Sequence, residues 1–330
     1  MDTTSPSFRI IGRGLLGAAV VLAALTVTPA SAYASRSPLC TLDAGRTTLT
    51  VKSGGLDRTV LVYRPARPRG HANLPMVLNL HGSQSTAAEQ LTRSGLEATA
   101  DTAGFLVVAP QGILDAAPGY RWNVPYVTGT GGPDDEQFLT DTITTLARMG
   151  CGDPGRVLAA GYSGGARMVS QYACDHPDRV TVLAAVAGLR AGAPRQEADG
   201  SFVPDTTTCK PGRPVPVLSF SGIADPVNPY PGGGAPYWGY GAEAAAKQWA
   251  VLDGCRRGPR TTAVSQHVSR VQYSSCRKNA DVVSYVIQDG DHTWPGSHAT
   301  WPDALGPVTR EIDANEIMWR FLRTHTDCAT

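Results

Sequence analysis

Charged and aromatic side chains are both scarce in this chain. Of its 330 residues, 17% are Asp, Glu, Lys or Arg and 7% are Phe, Trp or Tyr. The formal net charge is +1, and the basic residues form no block. A near-neutral chain without basic clusters offers no electrostatic footprint for nucleic acid, so no such partner is expected. There is no Cys-x-x-Cys and the cysteines are widely spaced, which argues against a zinc site. Internal repeats are absent, as is any Ser/Thr- or Gly-rich linker leading to a second module, so residues 33–330 are expected to form one catalytic domain. At 42% hydrophobic, the chain suits a globular fold rather than a disordered or fibrous one.

Residues 1–32 have the layout of a secretory signal. Arg9 and Arg13 give a positive start, residues 15–27 an apolar core, and Ala30-Ser31-Ala32 an A-x-A cleavage site. The apolar core is too short to span a bilayer comfortably, so no membrane anchor is expected. With no twin arginine and no cysteine after the cut, Tat export and lipoprotein anchoring are disfavoured. Cleavage would start the mature chain near Tyr33; losing Arg9, Arg13 and Asp2 brings its net charge to 0.

The seven cysteines all lie beyond that point, and export favours disulfides. An odd count leaves at least one unpaired within the chain. Short loops suggest Cys151–Cys174 and Cys255–Cys276; closing about twenty residues is worth roughly 3 kcal/mol by chain entropy.

Strand-like and helix-like segments alternate along the chain. A hairpin is expected around Ser53-Gly54-Gly55, followed by a buried strand at 75–80, a helix over 87–103 and a strand at 104–110. Then come a helix over 134–149, strands at 156–161, 180–187 and 214–220, and a helix over 242–252. Residues 262–273 read as strand or hairpin, 282–287 as the last core strand, and 309–322 as the final helix. Such alternation implies an α/β fold with a mainly parallel central sheet and helices on both faces.

Gly161-Tyr162-Ser163-Gly164-Gly165 fits the G-x-S-x-G nucleophile elbow, with an apolar run before it and a helical pattern after it. A serine at so tight a strand-to-helix turn is strained, and its neighbours two residues away have no room for a Cβ. The hydroxyl emerges at a helix N-terminus, where free N–H groups favour negative charge.

A serine hydroxyl needs a base, and the base needs a carboxylate to fix its tautomer. In open α/β sheets these groups gather beyond the carboxyl ends of strands. Asp225 follows the strand ending near Phe220, and His292 follows the strand ending near Ile287. The order Ser163, Asp225, His292 is that of an α/β-hydrolase. Asp225 also suits an Asx-turn before Pro226; His81, His267 and His298 compete with His292. His81-Gly82-Ser83 follows a strand that would feed an oxyanion loop, which nominates the backbone amides of Ser83 and Gly164 as oxyanion donors. Trp122, Trp238 and Trp294, with Tyr126 and Tyr237, lie on loops near strand ends, and are candidates for a wall against a sugar or phenolic ring. Asp134-Asp135 resembles an acid/base pair but better fits a helix N-cap.

These residues resemble the secreted α/β-hydrolase esterases grouped with polyhydroxybutyrate depolymerases and feruloyl or acetylxylan esterases. The likeness rests on Leu80-His81-Gly82, Ala109-Pro110-Gln111-Gly112, Asp134-Asp135 with Phe138, and Asp153-Pro154-Gly155-Arg156. It continues through Ala224-Asp225-Pro226, residues 249–255 and His292-Thr293-Trp294-Pro295-Gly296. The resemblance implies Ser163, Asp225 and His292 as a triad, with the Ser83 amide in the oxyanion hole. Ser83 replaces a common Cys, Ser221-Gly222 a common His-Gly, and Gly290-Asp291-His292 a common Gly-Gly-His, which bears on substrate preference. The expectation is therefore a secreted serine carboxylesterase without metal or organic cofactor. Its substrates would be feruloyl or acetyl esters of plant cell-wall polysaccharide, or short hydroxyalkanoate oligoesters. A serine peptidase on the same fold and a silent binding protein are the alternatives.

Overall fold

The computed structural model describes residues 40–66, 73–129 and 131–326. The signal segment 1–32 and Cys328 lie outside the described residues.

The chain opens with an antiparallel hairpin, Gly45–Ser53 (β1) and Leu56–Arg64 (β2). Leu74–Leu80 (β3) is buried at every position, as expected of a parallel strand covered on both faces. Ala87–Ser94 (α1), Leu96–Ala103 (α2) and Leu106–Pro110 (β4) follow. The helix expected over 87–103 breaks in two because Gly95 adopts φ 64°, ending α1 and starting α2.

Next come the small hairpin Leu114–Ala116 (β5) and Gly119–Arg121 (β6), then Asp135–Arg148 (α3), Gly152–Tyr162 (β7) and Gly164–Asp175 (α4). Val182–Val186 (β8) precedes a second small hairpin, Pro194–Gln196 (β9) and Phe202–Pro204 (β10), inside residues 188–213, an insertion whose sequence reads as irregular. The chain closes with Val217–Gly222 (β11), Ala242–Leu252 (α5), Arg257–Ala263 (β12), Val268–Ser274 (β13), Val282–Ile287 (β14) and Ala314–Thr326 (α6). The last helix starts later than its pattern suggests. Asp313 Oδ1 accepts from the amides of Asn315 and Glu316, and Thr309 is already engaged through its carbonyl with the Gly296 amide.

Ten strands form one sheet in the order β1-β2-β4-β3-β7-β8-β11-β14-β13-β12. From β4 to β14 all neighbours are parallel, and an antiparallel hairpin flanks each edge. Alternate side chains feed two cores. Met76, Leu78, Val157 and Ala159 meet Phe138, Ile143, Met168 and Tyr172 from α3 and α4. On the other face Val77, Leu158, Leu218 and Phe220 meet Leu91 of α1 and Ile317 and Leu322 of α6. Fully burying one such aliphatic side chain contributes about 1.5–3 kcal/mol.

Cys255 bonds Cys276, as their spacing suggests. Cys151 does not bond Cys174; it bonds Cys40, and Cys174 bonds Cys209. The insertion folds back on α4, where Gln171 Nε2 donates to the Thr208 carbonyl at 2.7 Å and so brings Cys209 beside Cys174. Sequence distance is a poor guide to pairing because closure entropy grows only with the logarithm of loop length, about 0.6 kcal/mol per doubling.

Candidate active site

Ser163 occupies the single position between β7 and α4, with φ 51° and ψ −112°. Its amide donates to the Val186 carbonyl at 2.9 Å, which fastens the turn to the neighbouring strand. The flanking glycines have the reason expected of them. A Cβ on Gly165 would lie 2.6 Å from the His81 carbonyl oxygen, and one on Gly161 would lie 2.7 Å from the Ala166 amide nitrogen.

The loops after β11 and β14 bring two more side chains to the serine. His292 Nε2 lies 2.8 Å from Ser163 Oγ, and His292 Nδ1 lies 2.7 Å from Asp225 Oδ2. A carboxylate only accepts, so Nδ1 carries the proton and Nε2 is free to accept from the serine. Asp225 Oδ1 accepts from the amides of Val227 and Asn228, each at 2.8 Å, so the Asx-turn and the histidine partner are one residue using two oxygens. Asn228 Nδ2 donates to the Ala187 carbonyl at 2.6 Å and ties this loop to the end of β8. The Tyr162 hydroxyl donates to the His292 carbonyl at 2.6 Å. All three site residues are buried.

His81 belongs to the turn carrying Ser83. Its Nε2 accepts from the Gly112 amide at 3.0 Å and its Nδ1 donates to the Gly82 carbonyl at 2.8 Å. Burial pushes its pKa down to about 4, so it is neutral and structural. Gly82 packs on the Tyr162 ring, where a Cβ would lie 2.8 Å from Cδ1. Ser83 and Gly164 face each other: a Cβ on Gly164 would lie 2.9 Å from the Ser83 amide nitrogen. His267 lies in the turn before β13 and holds Glu311, and His298 sits beside Arg310 at the surface; neither reaches the serine. Asp134 caps α3 by accepting from the Gln137 amide at 2.8 Å, while Asp135 pairs with Arg58.

The tryptophans are a correction. Trp122, Trp238 and Trp294 are each no more than 1% exposed and cannot offer a stacking face. Each ring is drawn inward by a partner for its indole N–H: the His81 carbonyl at 2.8 Å, the Pro229 carbonyl at 2.8 Å and Asn315 Oδ1 at 2.9 Å. They brace the loops from behind. Of the aromatic loop residues, Tyr126 and Tyr237 are exposed.

Arg167 goes unremarked in the sequence. It lies one turn into α4, and its Nη2 meets Ser83 Oγ at 3.4 Å. The sequence carries no signal for it, because a charged residue on a helix ordinarily faces solvent. A cavity of about 670 Å³ opens between α6 and the β13–β14 region, but neither the triad nor the oxyanion residues line it.

The sheet order, the elbow after β7 and the loops after β11 and β14 define an α/β-hydrolase fold. Comparison with known proteins agrees. Feruloyl esterase B of Piromyces equi is 30% identical over 251 residues, which is 74% of this chain and 44% of that protein. The chain thus spans less than half the length of that relative. A protein of Nocardia uniformis subsp. tsuyamanensis named as an esterase, NocK, is 28% identical over 283 residues, 78% of this chain and 76% of its own length. Among solved structures, an acetyl xylan esterase from Aspergillus awamori superposes with a TM-score of 0.60 at 15% identity, covering 84% of this chain and 100% of its own. No family model matches. The two relatives are both named as esterases, and the Aspergillus structure shares the fold.

Proposed function

We propose that the chain is a secreted serine esterase working through an acyl-enzyme. The observation that carries this is the unbroken relay Ser163 Oγ, His292 Nε2, His292 Nδ1, Asp225 Oδ2, with links of 2.8 and 2.7 Å. Ser163 Oγ attacks the ester carbonyl carbon as Nε2 takes the hydroxyl proton. The carbonyl oxygen becomes an oxyanion beside the Ser83 and Gly164 amides; one such donor is worth about 2.7–4 kcal/mol in the transition state. Collapse breaks the bond to the alcohol oxygen, which leaves with the proton from Nε2. Water then attacks the acyl-serine with His292 as base, and the acid departs as Ser163 recovers its proton.

Secretion accords with three disulfides, which persist in oxidising surroundings. For substrate we favour feruloyl esters, on the strength of the Piromyces relative's name, and keep acetyl esters of plant cell-wall polysaccharide as the second choice. Ser163→Ala is expected to cut p-nitrophenyl acetate turnover by at least ~10⁴-fold with the circular dichroism spectrum unchanged. Retained turnover overturns the assignment. A panel of methyl ferulate, acetylated xylan and hydroxybutyrate oligomers, with a matched amide, separates the substrate classes and the peptidase alternative.

A further inference from the structure

Arg167 is a buried cation without an anion. Its residue exposure is 7%, and among the described residues it forms no ion pair. Nε and Nη1 are buried with no hydrogen-bond partner, and the guanidinium carbon lies 4.3 Å from the centre of the Tyr237 ring. Burial lowers its pKa only to about 10, so it is charged at neutral pH. Burying an unpaired charge is costly, and proteins seldom leave one so.

Its position narrows what could relieve that cost. Nη2 meets the Ser83 hydroxyl at 3.4 Å, and a Cβ on Gly164 would lie 3.5 Å from the same Nη2. The guanidinium thus borders the space between the two oxyanion amides. A second buried arginine, Arg190, provides the contrast. Its Nη1 donates to the Tyr240 carbonyl at 2.8 Å and its Nη2 to the Trp238 carbonyl, and it stacks on both rings. Arg190 is therefore occupied in holding the loop that carries Tyr237. Arg167 is not occupied in that way.

The one anion that every turnover brings to this place is the carbonyl oxygen of the tetrahedral intermediate. We infer that Arg167 is a third, charged element of the oxyanion site: a positioning residue that holds Ser83 through its hydroxyl and sets a fixed positive charge beside the developing oxyanion. The inference rests on the esterase reading above. An interaction made only in the transition state acts on kcat and leaves KM nearly unchanged.

The test compares wild type, Arg167→Met, Arg167→Lys and Ser83→Ala on p-nitrophenyl acetate, and on ethyl hydrogen succinate beside neutral diethyl succinate. Rates of fluorophosphonate labelling of Ser163 are measured in parallel. Arg167→Met should lower kcat about 10²-fold on the neutral esters with KM within about threefold, and should slow labelling likewise. Arg167→Lys should recover at least about tenfold of that loss, since it restores the charge. Ser83→Ala keeps the backbone donor and should lose several-fold in kcat; no loss overturns the hold through Ser83. Equal rates in wild type and Arg167→Met overturn the inference. A loss confined to KM for the succinate monoester also overturns it, because Arg167 would then read a substrate carboxylate. Should Arg167→Met fail to fold, Arg167→Lys and Ser83→Ala decide through the same kcat and KM split. Absence of labelling in wild type defeats the esterase reading itself, which distinguishes that failure from failure of this inference.

Discussion

Two arginines are both buried, and the fold treats them differently. On the β2–α3 side, Arg58 Nη2 meets Asp135 Oδ1 at 2.7 Å, donates to the Gln111 carbonyl at 3.2 Å and lies over the Phe138 ring. At the start of α4, Arg167 has a ring and a hydroxyl but no carboxylate. The first arrangement pairs the buried charge with a carboxylate in the resting protein. The second leaves a charge without an anion beside the Ser83 and Gly164 amides, where the proposed ester hydrolysis would generate negative charge. Elsewhere Asp253 and His81 are held neutral, and Arg190, which also lacks a carboxylate, is held by two backbone carbonyls. Among the described residues Arg167 has neither a carboxylate nor a backbone carbonyl, and the proposed oxyanion role would account for that.

The largest effect that sharpens this contrast should come from breaking the complete pair. Asp135→Asn leaves the Arg58 charge buried without an anion and weakens the acceptor of the Asn123 amide, now held at 2.7 Å. Urea unfolding at pH 7 should show a loss of about 3–5 kcal/mol. Turnover per folded molecule should change little, because neither residue meets Ser163. Arg167→Met should show the reverse pattern. If both variants lost stability alike, the contrast between the two arginines would disappear.

The second effect concerns a carboxyl that the fold keeps protonated. Asp253 is fully buried; its Oδ1 accepts from the Val215 amide at 3.0 Å while Oδ2 has no partner. Burial drives its pKa up to about 8, against the pull of the Val215 amide and Arg277. The folded protein therefore keeps a proton that the unfolded chain gives up above its ordinary value near 4. The stabilising contribution is whole below that value and is lost as pH rises towards 8. Asp253→Asn keeps the acceptor and has no proton to lose. Its advantage over wild type should grow between pH 5 and pH 8 by at most roughly 4 kcal/mol, read from unfolding curves at both pH values. An advantage independent of pH would mean that Asp253 is ionised in its pocket.

What the sequence discloses follows from how local each cause is. The glycines around Ser163 are legible because the contacts that demand them come from a turn of a few residues and the strand beside it. Asp225 and His292 are legible because each lies just past an apolar strand, and the alternation of strands and helices fixes which end of the sheet those loops share. The break at Gly95 was open to view, since glycine in a helix pattern is a common C-cap, yet the apolar period runs through it. Trp122, Trp238 and Trp294 could not be oriented from sequence. Whether a loop indole faces solvent or core depends on a carbonyl or amide supplied by a distant segment, such as Asn315 for Trp294. The Cys151–Cys174 expectation failed for the same reason, since Cys209 reaches Cys174 only after the insertion folds onto α4, whereas Cys255–Cys276 forms as expected. Arg167 was invisible because a charge on a helix ordinarily implies solvent, and only packing under Tyr237 shows otherwise.

The smallest effect brings the comparison to neighbouring residues. His81 and Ser83 share one turn, and that turn meets Arg167 at Ser83 while His81, two residues back, is held neutral. A protonated His81 would carry a hydrogen on Nε2, directly against the Gly112 amide that now donates to it. Its folded pKa of about 4 lies below the ordinary value of 6.5. Between those values the unfolded chain binds a proton that the folded one refuses. Stability is thus whole above pH 6.5 and declines as pH falls towards 4, by roughly 3 kcal/mol from this group. His81→Gln can donate to Gly82 and accept from Gly112 without titrating. Other groups also respond to acid, so the quantity to measure is the difference between wild type and His81→Gln in the loss from pH 7 to pH 4.5. The variant should lose less. Equal losses would mean that the imidazole accepts its proton in place, and that the turn tolerates next to Ser83 the positive charge which the geometry assigns to Arg167 alone.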